Sequence, residues 1–449
     1  MNNTVKKNNI SKITCYKIYS FFIILFFATA CSNQTSTEKI NPSLVRVYLN
    51  EVLLQQGKSE TSFIPLDFKA TSDNGFVFIG VGGKDVESKT SRNAVLCLMK
   101  IDNGGNVVWE KYYDDATLNL GFGFPTNLIA TTVTDEYVLF WNKNISNSVE
   151  YYQVKINIGG ATFPTPEITK LSLNTGTNIN NLGFPNATKN GGYIAKATVN
   201  LAQNGYVLMN VATNSTRTES NEQHKVLINN VSSANPTANT TLLSESAIKG
   251  LRPGIEPLLD YDNHYQLFSA NSQYYYNIPD GNDIMALASV GGTQNPIFRD
   301  STFYWVTSIY EKQNNISLII NAKNTKDESY YIPAIDLSPN NYDISKIANF
   351  AIKFSPALSS KAPAILATTK DGIPMICGTD LQSGGVALLF VKNPTNISTF
   401  QLANTNYTAC NIVESQNGNV FAIGGINSVL GQSWKRPFVI LIPKQEIFK

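Results

Sequence analysis

The residues whose types could do chemistry are few in this chain, and their spacing forms no catalytic arrangement. Histidine occurs only as His224 and His264, which are far apart in sequence and lack neighbouring metal ligands. General acid and base catalysis would need paired carboxylates or a histidine beside a nucleophile. Asp-rich stretches at 260–263 and 280–283 offer oxygen ligands for calcium, but both are typical of turns. We therefore expect no catalytic residue, no metal and no cofactor.

The stretch TSDNGFVF at 71–78 resembles a degenerate Asp-box of sialidases, whose pattern is Ser/Thr-x-Asp-x-Gly-x-x-aromatic. In that family the box is a structural turn remote from the active site, so the resemblance implies a β-propeller and no activity. A sialidase also grips its substrate carboxylate with clustered arginines. The arginines here are scattered along the sequence: Arg46, Arg92, Arg217, Arg252, Arg299 and Arg436. A sialidase is therefore not expected.

The N-terminus has the pattern of a signal peptide over residues 1–30. Four lysines precede the apolar run IYSFFIILFFATA, which is too short for a membrane span of roughly 20 residues. The run ends in ATAC, which resembles the lipobox of bacterial lipoproteins, although that family usually has Leu at the first of the four positions. The resemblance implies cleavage before Cys31 and lipid attachment to its thiol. The alternative is an ordinary secretory signal with a chance cysteine at its end.

Residues 31–42 after the signal are polar and are predicted to form a flexible tether. In many Gram-negative lipoproteins an Asp after the lipidated cysteine signals retention in the inner membrane. Ser32 occupies that position here, which favours the outer membrane. The sequence leaves open whether the folded domain, residues 43–449, faces the periplasm or the exterior.

The charge of the mature chain argues against nucleic-acid binding. The whole chain has 35 Lys and Arg and 33 Asp and Glu; four of the lysines precede Cys31, so the mature chain keeps 31 basic and 33 acidic residues. A near-neutral chain without basic clusters cannot make the many phosphate contacts that nucleic acids require.

Three cysteines remain after Cys31, each within an apolar run typical of a strand: Cys97, Cys377 and Cys410. Burial in the core as small hydrophobic side chains is the favoured interpretation. A disulfide between Cys377 and Cys410 is the alternative in an oxidising compartment. Their spacing predicts no metal site.

A phrase that combines an Asn or Asp turn with a β-strand recurs along the chain. In the first unit, FIPLDFKAT, FVFIGVG, AVLCLMKI and NVVWEKYY are short apolar runs separated by SDNG, a polar loop and DNGG. Glycine supplies the positive φ of hairpin turns, so the unit is predicted to be a four-stranded antiparallel meander. Aligning the first turn along the chain gives seven candidates: Asp73, Asp135, Asn190, Asp262, Asn314, Asp371 and Asn417.

Seven such units predict an all-β fold, a β-propeller of seven blades with four antiparallel strands each; six or eight blades stay open. Stacking the units in a ring covers each sheet with its neighbours. The last unit has only three clear runs, and the apolar run at 43–56 is predicted to supply its fourth strand. The alternatives are a short capping element at 43–56 or, for the whole chain, a tandem array of β-sandwich modules.

The first unit resembles the repeat of bacterial secreted and lipid-anchored propeller proteins. The residues that carry this resemblance are Lys100, Asp102, Gly105, Asn106 and Trp109, and only the first unit has all of them. Members of that class are mostly known as predicted binding or surface proteins. The resemblance implies the same for this chain.

Exposed tyrosines beside amides are typical of a sugar or protein contact surface. In NSQYYYNIPDG, Tyr274, Tyr275 and Tyr276 precede a Pro-Asp-Gly turn and are the candidate ligand contacts, although such runs are also ordinary strands. The resulting hypothesis is a non-enzymatic outer-membrane lipoprotein that binds an outer-membrane or surface protein or a glycan, with no nucleic acid and no membrane contact except the lipid. The alternative is a propeller hydrolase acting on polysaccharide.

Overall fold

The structure of the protein is a computed structural model. The described residues are 36–49, 62–83, 94–113, 119–121, 126–145, 148–173, 191–213, 223–234, 236, 241–249, 266–270, 273–280, 284–289, 298–299, 303–312, 315–322, 329–335, 352–354, 358, 365–380, 382–393, 396–402, 407–428 and 435–447. The signal peptide (1–30), Cys31, Asn190, residues 260–264 and Asn314 lie outside these ranges.

The described chain is all-β apart from one short helix, and its strands form seven sheets numbered here in chain order. The N-terminal strands are β1 (Ser36–Lys39) and β2 (Leu44–Val47). Sheet 1 contains β3 (Ser62–Ala70), β4 (Phe76–Gly83), β5 (Ala94–Ile101) and β6 (Val107–Tyr113), with β7 (Asn119–Gly121) beside β5. Sheet 2 contains β8 (Ile129–Ala130), β9 (Glu136–Ile145), β10 (Ser148–Asn157) and β11 (Glu167–Leu171). The four runs of the first unit are therefore confirmed as strands.

The next three sheets each contain four consecutive strands. Sheet 3 contains β12 (Gly191–Val199), β13 (Gly205–Thr213), β14 (Gln223–Ser232) and β15 (Thr241–Lys249). Sheet 4 contains β16 (Gln266–Ala270), β17 (Gln273–Asp280), β18 (Ile284–Ser289) and β19 (Phe298–Arg299). Sheet 5 contains β20 (Phe303–Lys312), β21 (Asn315–Ala322), β22 (Ser329–Ile335) and β23 (Ile352–Phe354).

Each of the last two sheets gains a strand from the N-terminal segment. Sheet 6 contains β24 (Ile365–Thr368), β25 (Pro374–Thr379), β26 (Val386–Asn393) and β27 (Asn396–Leu402), with β1 parallel to β27. Sheet 7 contains β28 (Tyr407–Glu414), β29 (Val420–Ser428) and β30 (Lys435–Pro443), followed by helix α1 (Lys444–Ile447).

Strand β2 completes sheet 7, which confirms the fourth-strand prediction for Leu44–Val47. It pairs antiparallel with β30, with Leu44 opposite Leu441 and Val47 opposite Phe438. The segment expected to be a flexible tether already forms strand β1 at Ser36–Lys39, because backbone pairing along a sheet edge does not require apolar side chains. Ile40, between β1 and β2, is buried in the core shared by sheets 6 and 7.

The sheets contact one another in a closed cycle. Each sheet contacts the next one along the chain, for example β7 with β9, β12 with β16 and β20 with β24, and β28, β29 and β30 of sheet 7 contact β3 of sheet 1. The core lies between the sheets: Ile64, Leu98 and Trp141 are buried between sheets 1 and 2. A linear array of modules would bring no contact between its last sheet and its first.

Two of the predicted turns were assigned to the wrong place in their units. The first two strands of sheet 3 are connected at 200–204 rather than at Asn190, and those of sheet 4 at 271–272 rather than at Asp262. The glycines of the phrase near Asn190, Gly191 and Gly192, are the first two residues of strand β12. A local phrase cannot show whether its turn lies before or after a first strand, because that depends on which strands pair.

Candidate binding site

The turns between first and second strands share one construction in four sheets. The carbonyl oxygen of the first turn residue accepts an N–H bond from the residue three positions later; the pairs are Thr71 with Asn74 (3.0 Å), Asn200 with Gln203 (2.9 Å), Thr369 with Gly372 (2.8 Å) and Ser415 with Gly418 (2.9 Å). The later residue of each pair has positive φ, between 55° and 82°. The recurring phrase in the sequence therefore encodes a recurring backbone turn.

Hydrogen bonds join the turns of sheets 1, 2 and 7 directly. Bonds from Lys370 to Glu414 and between Asn127 and Ala197, close to their turns, place the turns of sheets 6 and 3 on the same face of the domain. The N–H of Ser72 donates to Asp135 Oδ1 at 2.9 Å, and that of Asn417 donates to Asn74 Oδ1 at 2.8 Å. We call this face, made of residues 71–75, 131–136, 200–205, 369–373 and 415–420, the turn face. Since consecutive strands are antiparallel, the connection at 382–385 between the second and third strands of sheet 6 lies on the opposite face, the loop face.

Four sheets have a polar residue four positions before the turn, within the first strand in three of them and two residues before β8 in sheet 2. These residues are Asp67, Asn127, Lys196 and Asn411, which precede Thr71, Thr131, Asn200 and Ser415. Strands β3, β12 and β28 have register shifts at 65/67, 194/196 and 409/411. A β-bulge re-aims a side chain relative to its neighbours. We call these four residues together with Lys69 the inner cluster.

Asp67 is the acidic member of the inner cluster, and it is almost completely buried. Its carboxylate accepts hydrogen bonds from the N–H groups of Phe68 (2.7 Å) and Leu128 (2.9 Å) and from Asn411 Nδ2 (2.8 Å). Lys69 Nζ lies 3.1 Å from Asp67 Oδ2. Burying a carboxylate is unfavourable unless it is paired and hydrogen-bonded. These four donors compensate the charge of Asp67 and tie sheets 7, 1 and 2 together.

Lys196 is the basic member without a fixed partner. Burial lowers the pKa of its amine; the Asp67 carboxylate opposes this effect, and the positive charge of Lys69 adds to it. Its Nζ makes no hydrogen bond or ion pair with the described residues. The side chain is partly accessible to solvent. The neighbouring Asn127 fixes the strand, because its Oδ1 accepts from the Ala197 N–H at 3.4 Å and its Nδ2 donates to the Ala197 carbonyl at 3.3 Å.

The inner cluster therefore has two amines and one carboxylate whose acceptor positions are already filled. A partly enclosed amine near a second positive charge attracts an anionic group, because that group would supply the missing counter-charge. The arrangement is suited to binding a carboxylate, sulfate or phosphate group.

The residues that carry the resemblance of the first unit have structural roles. Lys100 is buried, and its Nζ lies 2.7 Å from Asp73 Oδ2 and 3.1 Å from the carbonyl oxygens of Gly159 and Gly160, which follow strand β10 of sheet 2. Asp102 Oδ1 accepts from the N–H groups of Gly104 (2.9 Å) and Asn106 (2.8 Å). These residues build the turn between β5 and β6 and join sheet 1 to sheet 2.

The tyrosines proposed as loop contacts lie instead within strand β17. Tyr275 is opposite Phe268 and Ser289, and Tyr276 is opposite Leu267 and Ala288. The Tyr274 hydroxyl accepts the N–H bond of Leu201 at 2.6 Å, which joins sheets 3 and 4. The expected Pro-Asp-Gly turn begins later, because Asp280 still pairs with Ile284. Consecutive aromatic residues can belong to a strand or to a binding loop, and the pairing of β17 with β16 and β18 shows that these tyrosines belong to a strand.

The two cysteines whose side chains the structure describes are buried in the core, as the sequence predicts. Cys97 and Cys377 are free and buried, so the alternative of a disulfide between Cys377 and Cys410 is wrong. Burial raises the pKa of both thiols well above the usual range. Both cysteines therefore act as small apolar side chains in the core.

Other residues considered in the sequence are distributed across the fold. Arg436 is buried and its Nη2 lies 3.0 Å from Glu110 Oε1, whereas Arg46 Nη1 donates to the Gly105 carbonyl at 3.2 Å. His224 belongs to strand β14, opposite Thr213.

Within the described ranges, no group of three or more His, Cys, Asp and Glu side chains could hold a metal ion. No helix in the same part of the chain has the length and apolarity needed to cross a bilayer.

Sequence reasoning missed the inner cluster, although a signal was present. In LDFKAT, AKATVN and CNIVES a polar residue stands four positions before the Thr, Asn or Ser that opens the turn. A polar residue within an apolar first strand, at a constant distance from the recurring turn, identifies these positions.

No protein-family model matches this sequence, and no curated protein matches it. Among solved structures, the chain is similar to a protein of unknown function from Dyadobacter fermentans DSM 18053, with a TM-score of 0.50 and 10% identity over 90% of this chain and 99% of that one. It is also similar to polysaccharide lyase Uly1, with a TM-score of 0.43 and 10% identity over 85% and 90% of the two chains. A mutant Trypanosoma rangeli sialidase has a TM-score of 0.36 and 11% identity, and the match covers 72% of this chain and 54% of the sialidase. At such identity the likeness to the Dyadobacter protein concerns the fold alone.

Proposed function

We propose that this chain is a lipid-anchored envelope protein whose seven sheets are the blades of a β-propeller, and that the propeller binds an anionic group of its partner without transforming it. The closed cycle of sheet contacts supports the propeller. Pairing of β2 with β30 supports it further, because joining both ends of the folded domain in one sheet is a common way to close a ring.

The lipid anchor rests on the N-terminal sequence. A charged and apolar signal at 1–30 ends in ATAC, and Ser32 follows Cys31. Cleavage before Cys31 would leave an acylated cysteine as the first residue, and the absence of Asp after it favours the outer membrane. This arrangement matches the resemblance to lipid-anchored propeller proteins.

The observation that carries the binding function is the inner cluster. Its polar residues occupy equivalent positions in four sheets. The oxygens of the Asp67 carboxylate already accept bonds from four donors. The amine of Lys196, by contrast, has no fixed partner among the described residues. A site with an unpaired amine and a fully hydrogen-bonded carboxylate can recognise an anion, but it offers no free carboxylate for acid or base catalysis. We assign it to an acidic glycan or an acidic segment of an envelope protein.

The experiment compares binding of the purified lipoprotein in detergent to polygalacturonate and to neutral dextran. We expect binding to polygalacturonate only, with loss of binding in Lys196→Met. The matched control is Lys170→Met on the outer strand β11, whose side chain is exposed and contacts Glu150. Equal binding by the two variants would contradict the proposal.

Two further readouts separate the alternatives. Released oligosaccharides, detected by chromatography, would make the protein a polysaccharide hydrolase or another cleaving enzyme. Cross-linking in cells followed by mass spectrometry would identify an envelope protein partner. A stoichiometric partner whose recovery is lost with Lys196→Met would assign the site to an acidic protein segment rather than to a glycan.

A further inference from the structure

The N-terminal segment reaches the folded domain at the turn face. Ser36 is opposite Asn396, the first residue of β27, which follows the connection between the third and fourth strands of sheet 6. In an antiparallel sheet that connection lies at the same end as the turn between the first and second strands. Ser43 also donates its N–H to the Leu441 carbonyl at 2.8 Å, near the turn-face end of β30.

Covalent geometry limits how far Cys31 can lie from this face. Five residue steps separate Cys31 from Ser36. Even a fully extended chain spans at most about 3.5 Å per residue, or about 17 Å in total. An acylated Cys31 would therefore hold the turn-face edge of sheet 6 within about 17 Å of the lipid surface.

The turn face also carries exposed apolar side chains. Val133 lies at the turn of sheet 2 with 51% exposure, and Leu201 at the turn of sheet 3 with 45% exposure. Val107, at the turn-face end of β6, is 43% exposed. Isolated exposed apolar side chains are common. These three lie on neighbouring sheets and on the face at which the anchored segment arrives, where a lipid surface would cover them.

We infer that the turn face lies against the bilayer that holds the Cys31 lipids, with Val133 and Leu201 at the headgroup boundary and the loop face directed away from the membrane. The apolar side chains leave water when they enter this boundary, which adds to the lipid anchor and fixes the orientation of the domain. The inner cluster would then be approached from the loop face. This inference rests on the lipid anchor of the proposed function.

The test measures the depth of a fluorescent probe on the lipidated full chain in phosphatidylethanolamine and phosphatidylglycerol vesicles. Leu201→Cys and Val133→Cys carry an environment-sensitive probe on the turn face, and Gln382→Cys carries it on the loop face. Cys97 and Cys377 are buried, and the unsubstituted protein measures background labelling. We expect emission at shorter wavelength and loss of fluorescence with lipid-borne quenchers for Leu201→Cys and Val133→Cys, and neither effect for Gln382→Cys.

The mass of the N-terminal peptide is measured first, so that the two proposals can fail separately. An unacylated Cys31 overturns the proposed anchor and this inference with it. Acylated protein whose turn-face probes remain in water overturns only the orientation. A probe at Leu201 that leaves water in native membranes but not in vesicles of the purified protein would also overturn it, because a protein partner would then cover the turn face.

Discussion

Asn411 Nδ2 donates a hydrogen bond of 2.8 Å to Asp67 Oδ1 and joins two residues that are 344 positions apart in the sequence. The same amide nitrogen donates to the Phe68 carbonyl at 2.9 Å. Both bonds connect the first strand of the last sheet to the first strand of the first sheet. The junction between the last and the first sheet therefore includes Asp67, whose carboxylate also interacts electrostatically with Lys196.

Replacing Asn411 with Ala is expected to lower the free energy of unfolding by about 1–3 kcal/mol, because it removes two bonds at the junction and leaves one fewer donor for a buried carboxylate. Equilibrium urea denaturation measures the change. Asn419→Ala is the control on the exposed turn of sheet 7, where substitutions change stability by only about 0.5 kcal/mol. Equal effects of the two substitutions would contradict a special role for the junction.

Replacing Arg436 with Ala is expected to destabilise the protein by about 3–5 kcal/mol, because Glu110 then keeps a charge without its partner in a largely buried site. Arg436 Nη1 also donates to the Tyr112 hydroxyl at 2.6 Å, and its Nε donates to the Tyr48 carbonyl at 2.8 Å. Lys155→Ala breaks an exposed pair with Glu167 and should change stability by less than about 1 kcal/mol. Thermal and urea unfolding of both variants give the comparison.

The side chain of Ile40 tests whether the N-terminal segment is part of the core. Ile40→Ala should cost about 2–5 kcal/mol, since Ile40 is 1% exposed between sheets 6 and 7. Val45→Ala on the neighbouring strand β2 is the control, because Val45 is 38% exposed. A single cooperative transition at lower denaturant concentration is expected for Ile40→Ala. An unchanged midpoint would show that the segment does not close the domain.

Lys196→Met is expected to raise the melting temperature while it abolishes anion binding. Burial lowers the folded pKa of Lys196 below its unfolded value of 10.5, so the charged amine destabilises the fold. Between these two pKa values the unfolded state binds more protons, and the stability of the parent protein rises with pH. The advantage of the variant should thus be full below the folded pKa and disappear as pH approaches 10.5. Calorimetry across pH measures it, and a lower melting temperature at neutral pH would contradict it.

Cys97 and Cys377 should react with iodoacetamide only after denaturation and without prior reduction, because both thiols are free and buried. Peptide mass spectrometry of samples alkylated before and after denaturation measures the reaction. Modification of Cys377 that requires a reductant would restore the disulfide hypothesis. Reaction of either residue in the native protein would show that its part of the core opens.

The sequence alone determined the strands and the turns that depend on neighbours along the chain. The turns at Asp73, Asp135, Asp371 and Asn417 were confirmed, because backbone bonds over three to five residues and a positive φ define them. The four strands of the first unit were confirmed for the same reason, since short apolar runs and the hairpin glycines that separate them are local signals.

Only the tertiary structure decided which strands meet and what the polar residues of the first strands do. Asn190 and Asp262 carry the same turn signal as Asp73 but do not join first and second strands, and the tyrosines after Gln273 belong to a strand. Asp67 and Asn411 each look like an isolated polar residue in an apolar run. Their bond forms only when the last sheet packs on the first, because a contact across 344 residues depends on the folding of the chain between them.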